Sequence, residues 1–124
     1  MKQIIGKVFL HELVAQCHVG CTAKERQAEQ AILIDVTCDV DMSRAVTSDK
    51  RSDCVDYVAF REIVLRVTKG PKVYKLLEAL AHEIAKQVLR LEHVLTAEVR
   101  IRKPRKLADV KEVGIVLQLS RSEV

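Results

Sequence analysis

Glu78 and Lys103 are the two residues of this 124-residue chain whose setting among apolar neighbours points to chemistry. From Tyr74 onward, Leu77, Leu80, Ala81, Ile84, Val88 and Leu91 recur at three- and four-residue steps. That is the period of a helix burying one face. Glu78 falls in its first turn, beside the apolar stripe. A carboxylate there lies near unpaired backbone N–H groups and the positive end of the helix dipole. A lone Glu in that position ordinarily complements the dipole. With a neighbouring backbone amide it can also grip a flat ligand that carries N–H donors.

Lys103 shares its strand parity with Val99 and Ile101, whereas Arg100 and Arg102 point the other way. A lysine on a core face either snorkels to water from the strand end or takes part in chemistry. Desolvation and nearby cations lower a lysine pKa, which is how it becomes a base near neutral pH. Tyr57 opens a helix just after Asp53-Cys54-Val55-Asp56. A tyrosine there commonly anchors a loop, and with its hydroxyl facing a cleft it can exchange a proton. Glu25 and Gln30 lie in the polar run after Gly20 and, taken alone, read as loop surface. His11, His18, His82 and His93 have no spacing that indicates a nucleophile or a metal. Cys17-His18-Val19-Gly20-Cys21 looks like half a metal site, but no second closely spaced ligand pair completes it, so no metal is expected. The four scattered glycines form no phosphate-cradling loop.

The elements that must hold these residues follow from periodicity. Residues 4–19 read as a long first strand and 22–30 as a loop. Ile32, Ile34, Val36, Cys38 and Val40 then alternate with Leu33, Asp35, Thr37 and Asp39 in a half-buried strand. The two strands are expected to pair as an antiparallel hairpin. A long polar connection covers 42–56 and ends in several N-cap candidates. A helix follows from Tyr57, with Phe60, Ile63, Val64 and Val67 on one side, and Gly70-Pro71 stops it. The second helix spans 74–91. Strands over 95–103 and 113–119 complete the order, and Pro104 ends the first of these by removing a backbone donor. Strand-strand-helix-helix-strand-strand predicts an α+β fold, a four-stranded antiparallel sheet with two helices on one face. Its open edges call for edge-to-edge self-association.

Composition narrows the class. The length suits a single domain, 1–124. With 48% hydrophobic and 31% charged residues, a soluble folded chain is expected. No apolar run approaches the ~20 residues of a membrane span, and no secretory signal pattern opens the chain. Four cysteines suit a reducing compartment, so a cytoplasmic protein with no membrane partner is expected. The charge of +4 peaks over Arg100, Arg102, Lys103, Arg105 and Lys106. With two Tyr, two Phe and no Trp, base-stacking platforms are scarce, and no nucleic-acid partner is expected.

Four strings in matched order and spacing carry a resemblance: Val19-Gly20-xxxx-Glu25-Arg26-xxx-Gln30; Ser48-Asp49…Asp53-Cys54-Val55-Asp56-Tyr57; Leu77-Glu78-Ala79-Leu80-Ala81; and Arg102-Lys103-Pro104…Val113-Gly114. Over about 8–119 the chain resembles the dihydroneopterin aldolase family of folate biosynthesis. The resemblance implies the tunnelling fold, whose subunits close strand edges into rings, two tetrameric rings stacking as a homo-octamer. It implies that Glu78 holds the amino and ring N–H groups of a pterin, with Leu77 and Gln30 also on the substrate. Lys103 would be the main acid/base group, with Glu25 beside it. Tyr57 and the backbone around Val55 would come from the adjoining subunit. The implied reaction is a retro-aldol cleavage needing no metal or other cofactor, because the dihydropterin ring accepts the electrons. An epimerase of the same family is the nearest alternative. A ring-forming protein that binds nucleic acid through 100–106 is the alternative from another class. Arg105-Lys106, where the family usually carries small or apolar residues, departs from the pattern and bears on whether the substrate carries phosphate.

Overall fold

Strict alternation in the second strand is the clearest organiser of the structure, a computed structural model that describes residues 2–104 and 106–124. Four strands, β1 (Ile5–Cys17), β2 (Gln30–Asp41), β3 (Thr96–Pro104) and β4 (Glu112–Ser120), form one antiparallel sheet in the order β1-β2-β3-β4. Ile32, Ile34, Val36 and Cys38 of β2 and Ala97, Val99 and Ile101 of β3 are wholly buried on one face. Asp35 pairs with Arg100 and Thr37 with Glu98, so polar residues dominate the opposite face. β1 keeps this division only through a bulge between Leu10 and Leu13. Glu12 there takes a left-handed backbone (φ 59°), and its N–H donates to Asp35 Oδ1. The extra residue puts Leu10 and Leu13 on the same side of the sheet.

Two long helices cover the apolar face, α3 (Tyr57–Thr68) against β1 and α4 (Leu77–Leu89) against β3 and β4. (The short helices Ala23–Gln27 and Ser43–Ser48 are α1 and α2.) Phe60 and Val64 of α3 and Leu80, Ile84 and Val88 of α4 are fully buried between helices and sheet. Burial of each such side chain stabilises the fold by about 1.5–3 kcal/mol.

Four expectations need correction. The 22–30 loop contains α1, and the 42–56 connection contains α2 and a single 3-10 turn over Arg51–Asp53. Both short helices lack a buried residue, so no apolar period announces them. The second long helix begins at Leu77 rather than Tyr74. Tyr74 is instead extended and buried, bridging Val19 in parallel while its carbonyl accepts from Gly20 N–H at 3.1 Å. The first strand accordingly stops at Cys17, before Val19.

Candidate functional site

Lys103 lies on the core face, as its parity predicts, with its side chain only 11% exposed. An ammonium so placed loses hydration worth several kcal/mol and needs a counter-charge. Glu25 supplies it: Lys103 Nζ lies 3.5 Å from Glu25 Oε2. Lys106, just past β3, is closer, with its Nζ 2.7 Å from the same oxygen.

The local sequence explains why Glu25 stays in place. Thr22 caps α1, its Oγ1 accepting from Glu25 N–H at 3.1 Å, while Glu25 Oε1 accepts from Thr22 Oγ1 at 3.2 Å and Thr22 N–H at 3.4 Å. This is a reciprocal capping box. Beneath it sits Gly20, where an added Cβ would fall 2.3 Å from Glu25 Cβ. Gln30 Nε2 donates to the carbonyls of Val19 at 2.6 Å and Glu25 at 3.3 Å, and Arg26 donates to those of Gly20 and Cys21 at 2.9 Å. Gln30 thus shapes the loop that presents Glu25. Hydrogen bonding from Lys106 holds the Glu25 carboxyl down at about 2. Thr22-x-x-Glu25 is legible as a capping signature, yet the polar run around it conceals the helix.

Glu78 and Leu77 stand at the same end of the molecule. Lys103 meets Glu25, Glu25 packs over Gly20, Gly20 bonds to Tyr74, and α4 starts three residues later. No side chain caps α4, so its first N–H groups stay open beside Leu77 and Glu78. Glu78 is exposed within the single chain, rather than flanked by a dry wall. Val55 and Tyr57 lie elsewhere. Val55 is buried against a cavity shared with Val40 and Met42, near the far end of β2, and Tyr57 is 61% exposed. From the Leu33–Arg102 pairing to Val40 is roughly 23 Å along the strand, at ~3.3 Å per residue. One chain therefore does not bring Tyr57 and Val55 to Lys103.

The basic stretch is not a free stripe. Arg102 lies within 3.5 Å of Glu12, Asp35 and Glu112, Arg100 reaches Glu112 at 4.0 Å, and Lys103 and Lys106 share Glu25. Arg105 lies outside the described residues. Among the described residues no three His, Cys, Asp or Glu side chains group as metal ligands.

Comparison with known proteins identifies the family and the fold. The family model for dihydroneopterin aldolase (FolB) matches residues 8–118. The chain belongs to the dihydroneopterin aldolase family. A dihydroneopterin aldolase of Streptomyces coelicolor is 33% identical over 120 residues, covering 97% of this chain and 100% of that protein. The Escherichia coli K12 enzyme is 26% identical over 90% of each. A Vibrio cholerae FolB structure superposes with a TM-score of 0.85 at 27% identity, covering 94% of this chain and 98% of that one. The fold of the E. coli aldolase, crystallised with neopterin, matches with a TM-score of 0.83 at 24% identity, over 93% and 99%. The fold is thus the α+β tunnelling fold of the dihydroneopterin aldolases.

Proposed function

We infer that this chain is a 7,8-dihydroneopterin aldolase, cleaving its substrate to 6-hydroxymethyl-7,8-dihydropterin and glycolaldehyde. The observation that carries the reading is the buried Lys103 meeting Glu25, in a chain that matches the family over 8–118. Lys103 in its neutral form takes the proton of the side-chain 2′-hydroxyl. The bond between the 1′ and 2′ carbons then breaks, the 2′ carbon leaves as an aldehyde, and the electron pair passes into the dihydropterin ring. A proton returns to the 1′ carbon from the Tyr57 hydroxyl or from protonated Lys103, through water. Glu25, always ionised near neutral pH, stabilises the lysine ammonium formed midway. Glu78 accepts from the amino and ring N–H groups of the pterin, and the open amide of Leu77 donates to an acceptor on its edge.

The remaining parts of the reading concern assembly. Residues 1–124 act as one domain. β1 and β4 offer open edges, and an exposed Tyr57 far from Lys103 suits a site shared between neighbouring subunits. Val55 would contribute its backbone and Tyr57 its hydroxyl from the adjoining chain, in a homo-octamer of two stacked rings working in the cytoplasm. Gln30 contributes by fixing the Glu25 loop and reaches the substrate only through it. Incubation of purified protein with 7,8-dihydroneopterin, with glycolaldehyde measured, tests the function. Release of one equivalent per dihydropterin formed is expected. Absence of glycolaldehyde with substrate bound would overturn it.

A further inference from the structure

Lys103 and Lys106 meet one carboxylate oxygen from different depths. Glu25 Oε2 lies 3.5 Å from Lys103 Nζ and 2.7 Å from Lys106 Nζ, while Oε1 is taken by the Thr22 N–H and hydroxyl. The Lys103 side chain is 11% exposed and that of Lys106 is 41% exposed. One lysine is therefore inside the site and the other stands at its mouth. Across the shared oxygen their nitrogens are no more than about 6 Å apart, within range of strong mutual repulsion when both are charged. An ammonium has three donors. Among the described residues Glu25 is the one partner of Lys106, so the other donors at the mouth are open to a ligand.

The charges at this end leave room for an anion. Glu25 is fixed by the capping box and, held at about 2, stays ionised through the neutral range. Its single negative charge balances the Lys106 ammonium, and a second ammonium forms at Lys103 midway through the reaction. Arg26 donates to the Gly20 and Cys21 carbonyls, and burial pushes Cys17 and Tyr74 upward, so both are neutral near pH 7. Glu78, exposed at the start of α4, is taken up by the pterin N–H groups on the proposed reading. Arg105, outside the described residues, adds one more positive charge to the sequence between Pro104 and Lys106.

We propose that Lys106 is a specificity-determining residue that receives a phosphate monoester on the 3′-oxygen of the substrate, an inference that rests on the reading of this chain as an aldolase with Lys103 at the 2′-hydroxyl. A phosphorus on the 3′-oxygen is four bonds from the 2′-oxygen, and so roughly 4–5 Å away at ~1.5 Å per bond. That reach is close to the separation of the two lysines. With Lys103 on the 2′-oxygen, the phosphate comes to the mouth of the site, where Lys106 donates charge-assisted hydrogen bonds to it. The dianion also balances the ammonium that forms at Lys103. Cleavage takes the same course as before. The 2′-hydroxyl proton passes to Lys103, the bond between the 1′ and 2′ carbons breaks, and its electron pair enters the ring. The 2′ carbon leaves as the aldehyde of glycolaldehyde phosphate, a proton returns to the 1′ carbon, and the phosphate ester stays whole.

The test measures kcat/KM for 7,8-dihydroneopterin and for its 3′-monophosphate in the wild type, Lys106→Met, Lys106→Arg and Arg105→Met. The readout is the ratio of the two values, because a change at Glu25 acts on both substrates. The wild type is expected to favour the monophosphate about ten- to a hundredfold, the worth of one charge-assisted hydrogen bond, and less as salt is added. Lys106→Met is expected to lose most of that preference and Lys106→Arg to keep it. A wild-type ratio at or below one overturns the inference, as does a Lys106→Met ratio equal to that of the wild type. If Arg105→Met loses the preference while Lys106→Met retains it, the phosphate belongs to Arg105 and the assignment to Lys106 fails. Cleavage of neither compound by the folded protein would overturn the aldolase reading itself. Cleavage of dihydroneopterin with no gain from the phosphate overturns only the role of Lys106.

Discussion

Glu25 and Asp56, at opposite ends of the sheet, are held by the same device and present opposite surfaces. Each serves a helix start with one oxygen and a cation with the other. Glu25 Oε1 completes the α1 capping box while Oε2 meets Lys106 and Lys103. Asp56 Oδ1 caps α3 through Val58 N–H at 2.9 Å, while Oδ2 meets Arg51 at 2.8 Å. What differs is the next residue. Glu25 draws in a lysine that the fold has buried, whereas Asp56 launches Tyr57 into solvent at 61% exposure. A buried cation beside a fixed anion is an ion pair internal to one chain, and the proposed proton transfer rests on it. On the proposed reading, the exposed Tyr57 hydroxyl serves a site completed by an adjoining chain.

Removing Lys103 is the largest test of this contrast. Lys103→Ala is expected to lower kcat about 10²–10⁴-fold, the usual contribution of a positioned acid/base group, while pterin binding persists. A fall below about tenfold, read by steady-state turnover, would place Lys103 outside the chemistry. Glu78→Ala is expected to act on affinity instead. Each charge-assisted bond to the pterin is worth about 1.5–3 kcal/mol, so loss of one weakens binding about ten- to a hundredfold and loss of two by more. Calorimetry with neopterin reads this directly. Unchanged affinity would return Glu78 to a dipole-complementing surface charge.

The two ends also differed in how far they could be read from residues alone. Alternation over Ile32–Val40 and over Ala97–Lys103 fixes strand faces, because one buried face imposes a period of two. The same alternation put Lys103 on the core side. The first strand resisted such reading because its bulge at Glu12 shifts the phase midway. The α1 and α2 helices resisted because neither has a buried side chain to create a period. Lys106 is visible in the sequence as part of the basic cluster and as a departure from the family pattern. Its meeting with Glu25 joins residues 81 positions apart, and that contact exists only once the fold has formed. Tyr57 was legible as a helix start, but its exposure follows from which residues of α3 the core accepts.

The shared device makes a pH prediction of intermediate size. Lys106 holds the Glu25 carboxyl at about 2, against an ordinary 4.5, a shift of a few hundredfold, roughly, in proton affinity. Asp56 is likewise held below its ordinary 3.8, chiefly by Arg51. A depressed carboxyl contributes stability that is fully present above its unfolded pKa and lost as pH falls through the folded value. For Glu25 that loss runs from about 4.5 down to about 2, so its pairing is intact at neutral pH. Carbon-detected NMR titration of the two carboxyls checks both midpoints. Lys106→Met is expected to move Glu25 upward and leave Asp56 in place. A Glu25 midpoint near 4.5 in the wild type would break the parallel between the ends.

The smallest expected signal tests whether the two ends meet between chains. If each site draws Lys103, Glu25 and Glu78 from one chain and Tyr57 from its neighbour, a pure Tyr57→Phe oligomer and a pure Lys103→Ala oligomer both lack any intact site. Unfolding the two variants together and refolding them as a mixture places chains at random. Wherever a chain with intact Tyr57 adjoins, in the productive direction, one with intact Lys103, all four groups come together again. At equal ratio this occurs at roughly a quarter of sites, since each of the two neighbours is the required variant half the time in a closed heterologous ring. The comparison is turnover of the co-refolded mixture against each variant refolded alone, with native mass measurement to establish that mixed oligomers have formed. Activity near a quarter of the wild type supports a shared site. Mixed oligomers no more active than the average of their parents would put the whole site in one chain, and Tyr57 would then owe its exposure to something other than catalysis.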